Sequence, residues 1–210
     1  MDAADIAWKP ALVVRGAAKP SLLDGYAIER GLADRHVLEV SDEEHRLVTG
    51  RRLRAVLAAG GSGAEPGGVR KRLMLDVSYA GSPLVGQAGG AMGGGPLPGE
   101  RFPSRHQLSG TGHHLIVFGA APRLDHLRAR WGQLISIVDA ANAQFDATEA
   151  GVPNGGAILV RPDGFIGFRA APADEITMDA VDAHLATYLV PEFGARRDPT
   201  AGDVRRVDLT

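Results

Sequence analysis

Few side chains in this 210-residue sequence are of a type and spacing that could do chemistry. His36, His45, Asp76 and Tyr79 are the candidates for a general acid or base. Imidazole exchanges protons near neutral pH, and a carboxyl or phenol placed against a pocket can do so when its surroundings tune it. Asp76 and Tyr79 stand three positions apart, just before Ser82-Pro83-Leu84-Val85, and alternate onto opposite faces of an extended chain. The plainer reading of all four is a solvated polar side chain. His113 and His114 are adjacent in a run of strand length, so they point to opposite sides and cannot grip one metal ion together. Adding His106 gives no metal-ligand spacing. With no cysteine at all, thiol-disulfide chemistry, thiolate metal sites and disulfide staples are excluded. Trp8 and Trp131 read as core anchors.

The elements that must position these residues are organised around Ala157 to Arg169, AILVRPDGFIGFR. Two runs rich in Ile, Val and Phe flank Pro162-Asp163-Gly164. Proline presets φ, aspartate bonds its own backbone and glycine accepts positive φ, so the stretch predicts a β-hairpin, with Asp163 needed by the turn. Upstream, His113–Ala120 predicts a strand. After Pro122, Leu124, Leu127 and Trp131 fall at helical spacing and Gly132 closes the helix, and Gln133–Ala140 is a second strand. Such a βαβ unit has parallel strands. Downstream, Met178, Val181, Leu185 and Tyr188 stripe a helix stopped by Pro191. Thr177 is the expected N-cap, and Ile176 with Val181 the expected hydrophobic staple. The order βαβ then ββα is that of a thioredoxin-like α/β domain, here lacking cysteines.

Residues 1–59 read as helical. A capping signal at Ser21–Asp24 follows Pro20, and an apolar stripe runs through Leu23, Tyr26, Ala27, Arg30, Ala33 and Val37. A further helix is expected from about Asp42 to Ala59. Pro10 predicts a helix that begins near it or bends there. Residues 60–110 read as a connection. Two Gly-rich stretches, Gly60–Gly68 and Gly86–Gly99, frame a short strand at Leu73–Tyr79, and a flexible linker is favoured over a ligand lid. The predicted organisation is a helical region at 1–59, a Gly/Pro-rich connection at 60–110, a thioredoxin-like domain at 111–191 and a tail at 192–210.

A net charge of −2 and a pI near 6.4 give no electrostatic footprint for nucleic acid or for an anionic membrane. No apolar run approaches the length of a membrane span and no charged-then-apolar leader opens the sequence, so a cytoplasmic location is expected.

GGAILVRPDGFIGFR followed by a terminal helix resembles the end of the FAD-dependent aromatic hydroxylases, the flavoprotein monooxygenase family of phenol and aromatic polyketide hydroxylases. YAGSPLV at 79–85 and LPGERFP at 97–103 are similar to the segments leading into that family's thioredoxin-like C-terminal domain. DAADIAWKPALVVRGAAKPSLLDGYAIER at 2–30 resembles its helical segment just after the flavin site. The resemblance thus runs through nearly the whole chain in the family's order, with Asp5 and Pro10 where the family pattern has Asn and Leu. It implies Asp2 and Asp5 as flavin-side candidates. It also implies FAD and NAD(P)H as the cofactors of complete family enzymes.

A dinucleotide-binding βαβ opens with G-x-G-x-x-G after a strand, because the pyrophosphate rests on main-chain N–H groups at a helix start. The glycines at 60–68 have neither that spacing nor a preceding strand, so no cofactor is expected to be bound by this chain alone. Three functions are then open. The chain is the C-terminal portion, or a stand-alone descendant, of an aromatic monooxygenase. Alternatively it is a cofactor-independent cyclase or isomerase acting on an aromatic polyketide, with an aromatic small-molecule ligand. The third alternative is a non-catalytic subunit. A homo-oligomer or partner chain is expected to cover the helical region.

Overall fold

The computed structural model describes residues 2–49, 76–90, 94–103 and 108–191, with the backbone alone for 2–5, 44 and 47–49. Two helices come first, α1 at Asp2–Val14 and α2 at Leu22–Thr49. Then follow β1 at Gly86–Gly89, β2 at His113–Phe118, α3 at Leu124–Trp131, β3 at Ile135–Asp139, β4 at Gly156–Val160, β5 at Ile166–Ala171 and α4 at Glu175–Tyr188.

One five-stranded sheet holds the strands of the described residues in the order β1-β5-β4-β2-β3. β2 and β3 run parallel across the α3 crossover, β4 and β5 form the expected antiparallel hairpin, and β1 lies parallel to β5 at the other edge. The fold is α/β and thioredoxin-like in the βαβ–ββα sense, with a preceding helical region and an extra edge strand. Central strands β2 and β4 are buried at every position, whereas edge strand β3 exposes Ser136 and Asp139. A strand covered on both faces has no place for polar alternation, so HHLIVF and GAILV read as continuous apolar runs.

Period-two geometry sorts the core into two layers. Leu115, Val117 and Leu159 join Trp8, Leu22, Leu127, Trp131, Val181 and Leu185, so α1, the start of α2, α3 and α4 supply one layer. Ile116, Phe118, Ile158 and Val160 face the other way, onto Phe102, Ala150 and Val152 from the loops. Trp8 and Trp131 are both core residues.

Several expectations need correction. α1 does not begin at Pro10 but includes it as its ninth residue, because the apolar face around Trp8 is docked on the core. α2 is one helix through Asp42 to Thr49 with no fresh start there; residues 50–59 lie outside the described ones. Its buried face is Leu22, Gly25, Glu29 and Ala33; of the expected stripe Ala33 is buried as expected, whereas Leu23 and Val37 are exposed and the first turns bury the positions one residue earlier. Counting only apolar residues hid the buried glutamate on that face. Residues 76–79 form no strand, and 73–75 lie outside the described residues. The N-cap of α4 is Asp174, whose side chain accepts from Thr177 N–H at 2.9 Å while the Thr177 hydroxyl accepts from Asp174 N–H at 3.0 Å. Thr177 is thus the third helical residue of a reciprocal box, and Ile176, 81% exposed, staples nothing.

The stretch 86–99 is not a free linker where it is described. Gly86–Gly89 is a sheet strand, and Gly99 donates to Ile166 O at 2.8 Å. The expected Gly-rich stretch 60–68 and the tail 192–210 lie outside the described residues.

Candidate functional site

The most unusual chemistry among the described residues is a buried charge cluster between the helical region and the hairpin turn. Lys9 on α1, Glu29 on α2 and Arg161 at the end of β4 are each fully buried, and Asp163 in the turn nearly so. Arg161 Nη1 and Nη2 reach the two Glu29 carboxylate oxygens at 2.5 and 2.9 Å. Lys9 Nζ lies 2.5 Å from Glu29 Oε2, and the Ser82 hydroxyl donates to Oε1 at 2.6 Å. Asp163 accepts from Arg161, from Trp8 Nε1 at 3.1 Å and from Phe165 N–H at 3.2 Å.

Two cations and two carboxylates therefore neutralise one another out of water, as buried charge requires. Burial alone would raise the carboxyl pKa values. The Arg161 guanidinium, helped by Lys9 at Glu29 and by the N–H donors at Asp163, outweighs it and holds both below the usual carboxylate range. Burial would weaken the Arg161 charge, but Asp163 and Glu29 raise its pKa instead. Turn chemistry was legible at Pro162-Asp163-Gly164. The second role of Asp163, as the anion that receives Arg161 and Trp8, was not. The available signal was Arg161, a charged residue between an apolar strand and a tight turn, together with Glu29 seven residues after Leu22 on the inward face of α2.

Beside this cluster lies a histidine-tyrosine group. His113 Nε2 sits 3.2 Å from the Tyr188 hydroxyl, and its ring meets Trp8 edge-on at 5.3 Å. His184 stacks at a tilt on Phe168, 4.8 Å between centroids, with its Nε2 buried and without a hydrogen-bond partner. Burial, reinforced by the Arg161 charge, pushes His113 down to about 3 and His184 down to about 4. Burial pushes the Tyr188 phenol up. All three stay neutral at neutral pH. His114, on the opposite side of β2, lies 2.6 Å from Ser109 O, so the two adjacent histidines do diverge.

The four acid-base candidates do not converge. His36 Nε2 and Asp76 Oδ1 meet at 2.9 Å, joining α2 to the segment before β1. Tyr79 is buried against Phe165, with ring centroids 4.3 Å apart. His45 is exposed further along α2. Asp2 and Asp5 lie in α1, and their side chains are outside the described residues. His106 is outside them altogether. Among the described residues no group of three His, Asp or Glu could hold a metal, and no helix is long and apolar enough to cross a membrane.

Gly89, Gly95 and Gly99 form no open phosphate cradle. A phosphate cradle needs glycine N–H groups opening onto free space. Here an added Cβ would sit 1.8 Å from Ala171 O at Gly89, 2.7 Å from Glu149 O at Gly95 and 2.5 Å from Ala80 N at Gly99. Main chain already fills those approaches, and Lys9 and Arg161 are neutralised by the protein's own carboxylates.

Residues 96–194 match the family profile described as "Aromatic-ring hydroxylase, C-terminal". The chain is 31% identical to 6-methylpretetramide 4-monooxygenase of Streptomyces rimosus over 246 aligned positions, covering 96% of this chain and 42% of that enzyme. The anhydrotetracycline hydroxylase OxyS of Streptomyces rimosus superposes with a TM-score of 0.61 at 27% identity, over 90% of this chain and 40% of its own. BexE, studied for oxidation during BE-7585A biosynthesis, superposes with a TM-score of 0.59 at 25% identity, over 90% of this chain and 39% of its own. The chain spans about two-fifths of the length of these relatives.

Proposed function

Since residues 96–194 belong to the aromatic-ring hydroxylase C-terminal domain family, we propose that this chain is the C-terminal portion of an FAD-dependent aromatic monooxygenase working on polycyclic, polyketide-type substrates. FAD and NAD(P)H are held outside the residues described here. The polyketide reading rests on the monooxygenase and anhydrotetracycline hydroxylase names of two relatives. The observation that carries the proposal is the alignment of 96% of this chain with one contiguous part of a monooxygenase.

In this reading the chain contributes a scaffold. FAD, when bound in the remainder of such an enzyme, supplies the oxygen-transferring group. This chain holds α1 and α2 rigidly on the sheet through Lys9, Glu29, Arg161 and Asp163. A rigid support keeps residues carried on those helices within the narrow tolerances that chemistry demands. The helical region's exposed apolar residues, among them Ile6, Val14, Ile28 and Leu38, are where the remainder of the enzyme or a second copy packs.

Two measurements test it. FAD titrated into the chain alone should show no saturable quenching of flavin fluorescence. A chimera carrying this chain in place of the matched part of the Streptomyces rimosus monooxygenase should be yellow and oxidise NADPH when that enzyme's aromatic substrate is added. Saturable FAD binding by the chain alone, or a folded chimera that stays colourless, would overturn the proposal.

A further inference from the structure

Arg169 on β5 is fully buried, and its guanidinium donates hydrogen bonds to three main-chain carbonyls. Nη1 donates to Pro96 O at 3.0 Å, while Nη2 donates to Gly94 O at 3.3 Å and also to Gly151 O. The two segments so joined belong to different parts of the chain. Gly94 to Pro96 precede the LPGERFP stretch, and Gly151 lies within the β3–β4 connection.

The backbones cross in contact. Gly95 has φ +95° and a Cβ there would lie 2.7 Å from both Glu149 O and Gly151 N. Gly151 has φ +74° and a Cβ there would lie 1.7 Å from Gly94 O and 2.1 Å from Arg169 Nη2. Three carbonyl oxygens from the two segments converge on one buried guanidinium. The planar guanidinium donates to all three from two nitrogens set apart in a fixed fork, a geometry that the single nitrogen of a lysine ammonium does not reproduce.

We infer that Arg169 is a positioning residue, a clasp that fixes residues 94–96 onto 149–151 and so holds the segment leading into the 97–103 stretch on the sheet. The same segment is stitched to β5 and to the hairpin turn just beyond the clasp. Gly99 donates to Ile166 O at 2.8 Å, Ile166 donates to Glu100 O at 2.8 Å and Phe102 donates to Gly164 O at 3.0 Å. On the other side of the crossing, Gly151 and Val152 donate to Thr148 O and Ala147 O at 2.9 and 2.8 Å. One side chain thus controls the order of two loops distant in sequence. This assignment does not rest on the hydroxylase reading.

Hydrogen exchange by mass spectrometry on the full chain tests it, with Arg169→Met keeping most of the volume and Arg169→Lys keeping the charge. Both variants should exchange about tenfold or more faster in residues 94–99 and 147–152 together, the size expected when a charge-assisted hydrogen bond is lost. The β2–β4 ladder should keep its protection. Acceleration in only one loop, or wild-type protection in both, would overturn the clasp. If Arg169→Met does not fold, Arg169→Lys decides alone: loosening of both loops supports the clasp, and unchanged loops overturn it.

Discussion

Arg161 grips Glu29 with both arms of its guanidinium, at 2.5 and 2.9 Å, across 132 positions of sequence. The pair ties the long helix α2 to the hairpin turn, and Lys9 and Asp163 complete a neutral group of four charges around it. Helical region and sheet are joined by charges that neither can bury alone.

Arg161→Met should therefore lower stability by about 3–5 kcal/mol, because Glu29 and Asp163 would remain buried with only Lys9 to oppose them. Glu29→Met should cost a similar amount by leaving two cations against Asp163. The double variant should lose less than the sum of the two, since one removal relieves the charge stranded by the other. Chemical denaturation of the four species measures this. Additive losses would mean that the two side chains are not coupled.

Acid should weaken the protein in two stages. Burial holds His184 at about 4 and His113 at about 3, below the ordinary 6.5. A depressed folded value means the unfolded chain binds the proton first. Stability present above pH 6.5 is then lost as pH falls from 6.5 toward those folded values. Glu29 and Asp163, also held below their ordinary range, add a further loss beneath about pH 4.5. Urea midpoints recorded from pH 8 to pH 4 should fall below pH 6.5. His184→Gln should flatten the fall by up to about 1.4 kcal/mol per pH unit, the effect of one proton. An unchanged slope in that variant would show that the ring titrates freely in the folded protein.

How much of this was legible beforehand follows from what kind of signal each feature leaves. The hairpin at 157–169, the βαβ unit and α4 carry period-two, period-3.6 and turn signals within short windows, and the structure has these elements where expected. The edge strand β1 left no such signal, since GQAG has no β-branched or aromatic residue and is held by its ladder to β5. The charge cluster joins positions 9, 29, 161 and 163, and no local periodicity couples residues so far apart. Of the acid-base candidates, only His36 and Asp76 meet, through tertiary packing that spacing cannot report.

Glycine positions with similar dihedrals should respond differently to one added methyl. Gly16 has φ +72° with open space around it, whereas Gly151 has φ +74° with Gly94 O where the methyl would go. Gly16→Ala should cost about 1–2 kcal/mol, the left-handed strain alone. Gly151→Ala should cost about 3 kcal/mol or more, because overpacking against main chain is added to that strain. Equal losses, read from thermal unfolding, would mean the crossing at Gly94 is looser than drawn.

At the start of α4 a reciprocal box stands where the sequence predicted a Thr177 cap and an Ile176–Val181 staple. Asp174 bonds the Thr177 N–H and is bonded in return, so Asp174→Ala should remove about 1 kcal/mol by leaving that donor unpaired at the helix end. Thr177→Val should lose a comparable amount, since its hydroxyl also donates to Pro172 O at 2.6 Å. Ile176→Ser should be nearly silent, because a side chain 81% exposed gives up little apolar burial. Were Ile176→Ser the costly change and Asp174→Ala the mild one, a staple rather than the reciprocal box would be anchoring the helix, and the docking of Val181 against the sheet would have to be redrawn around it.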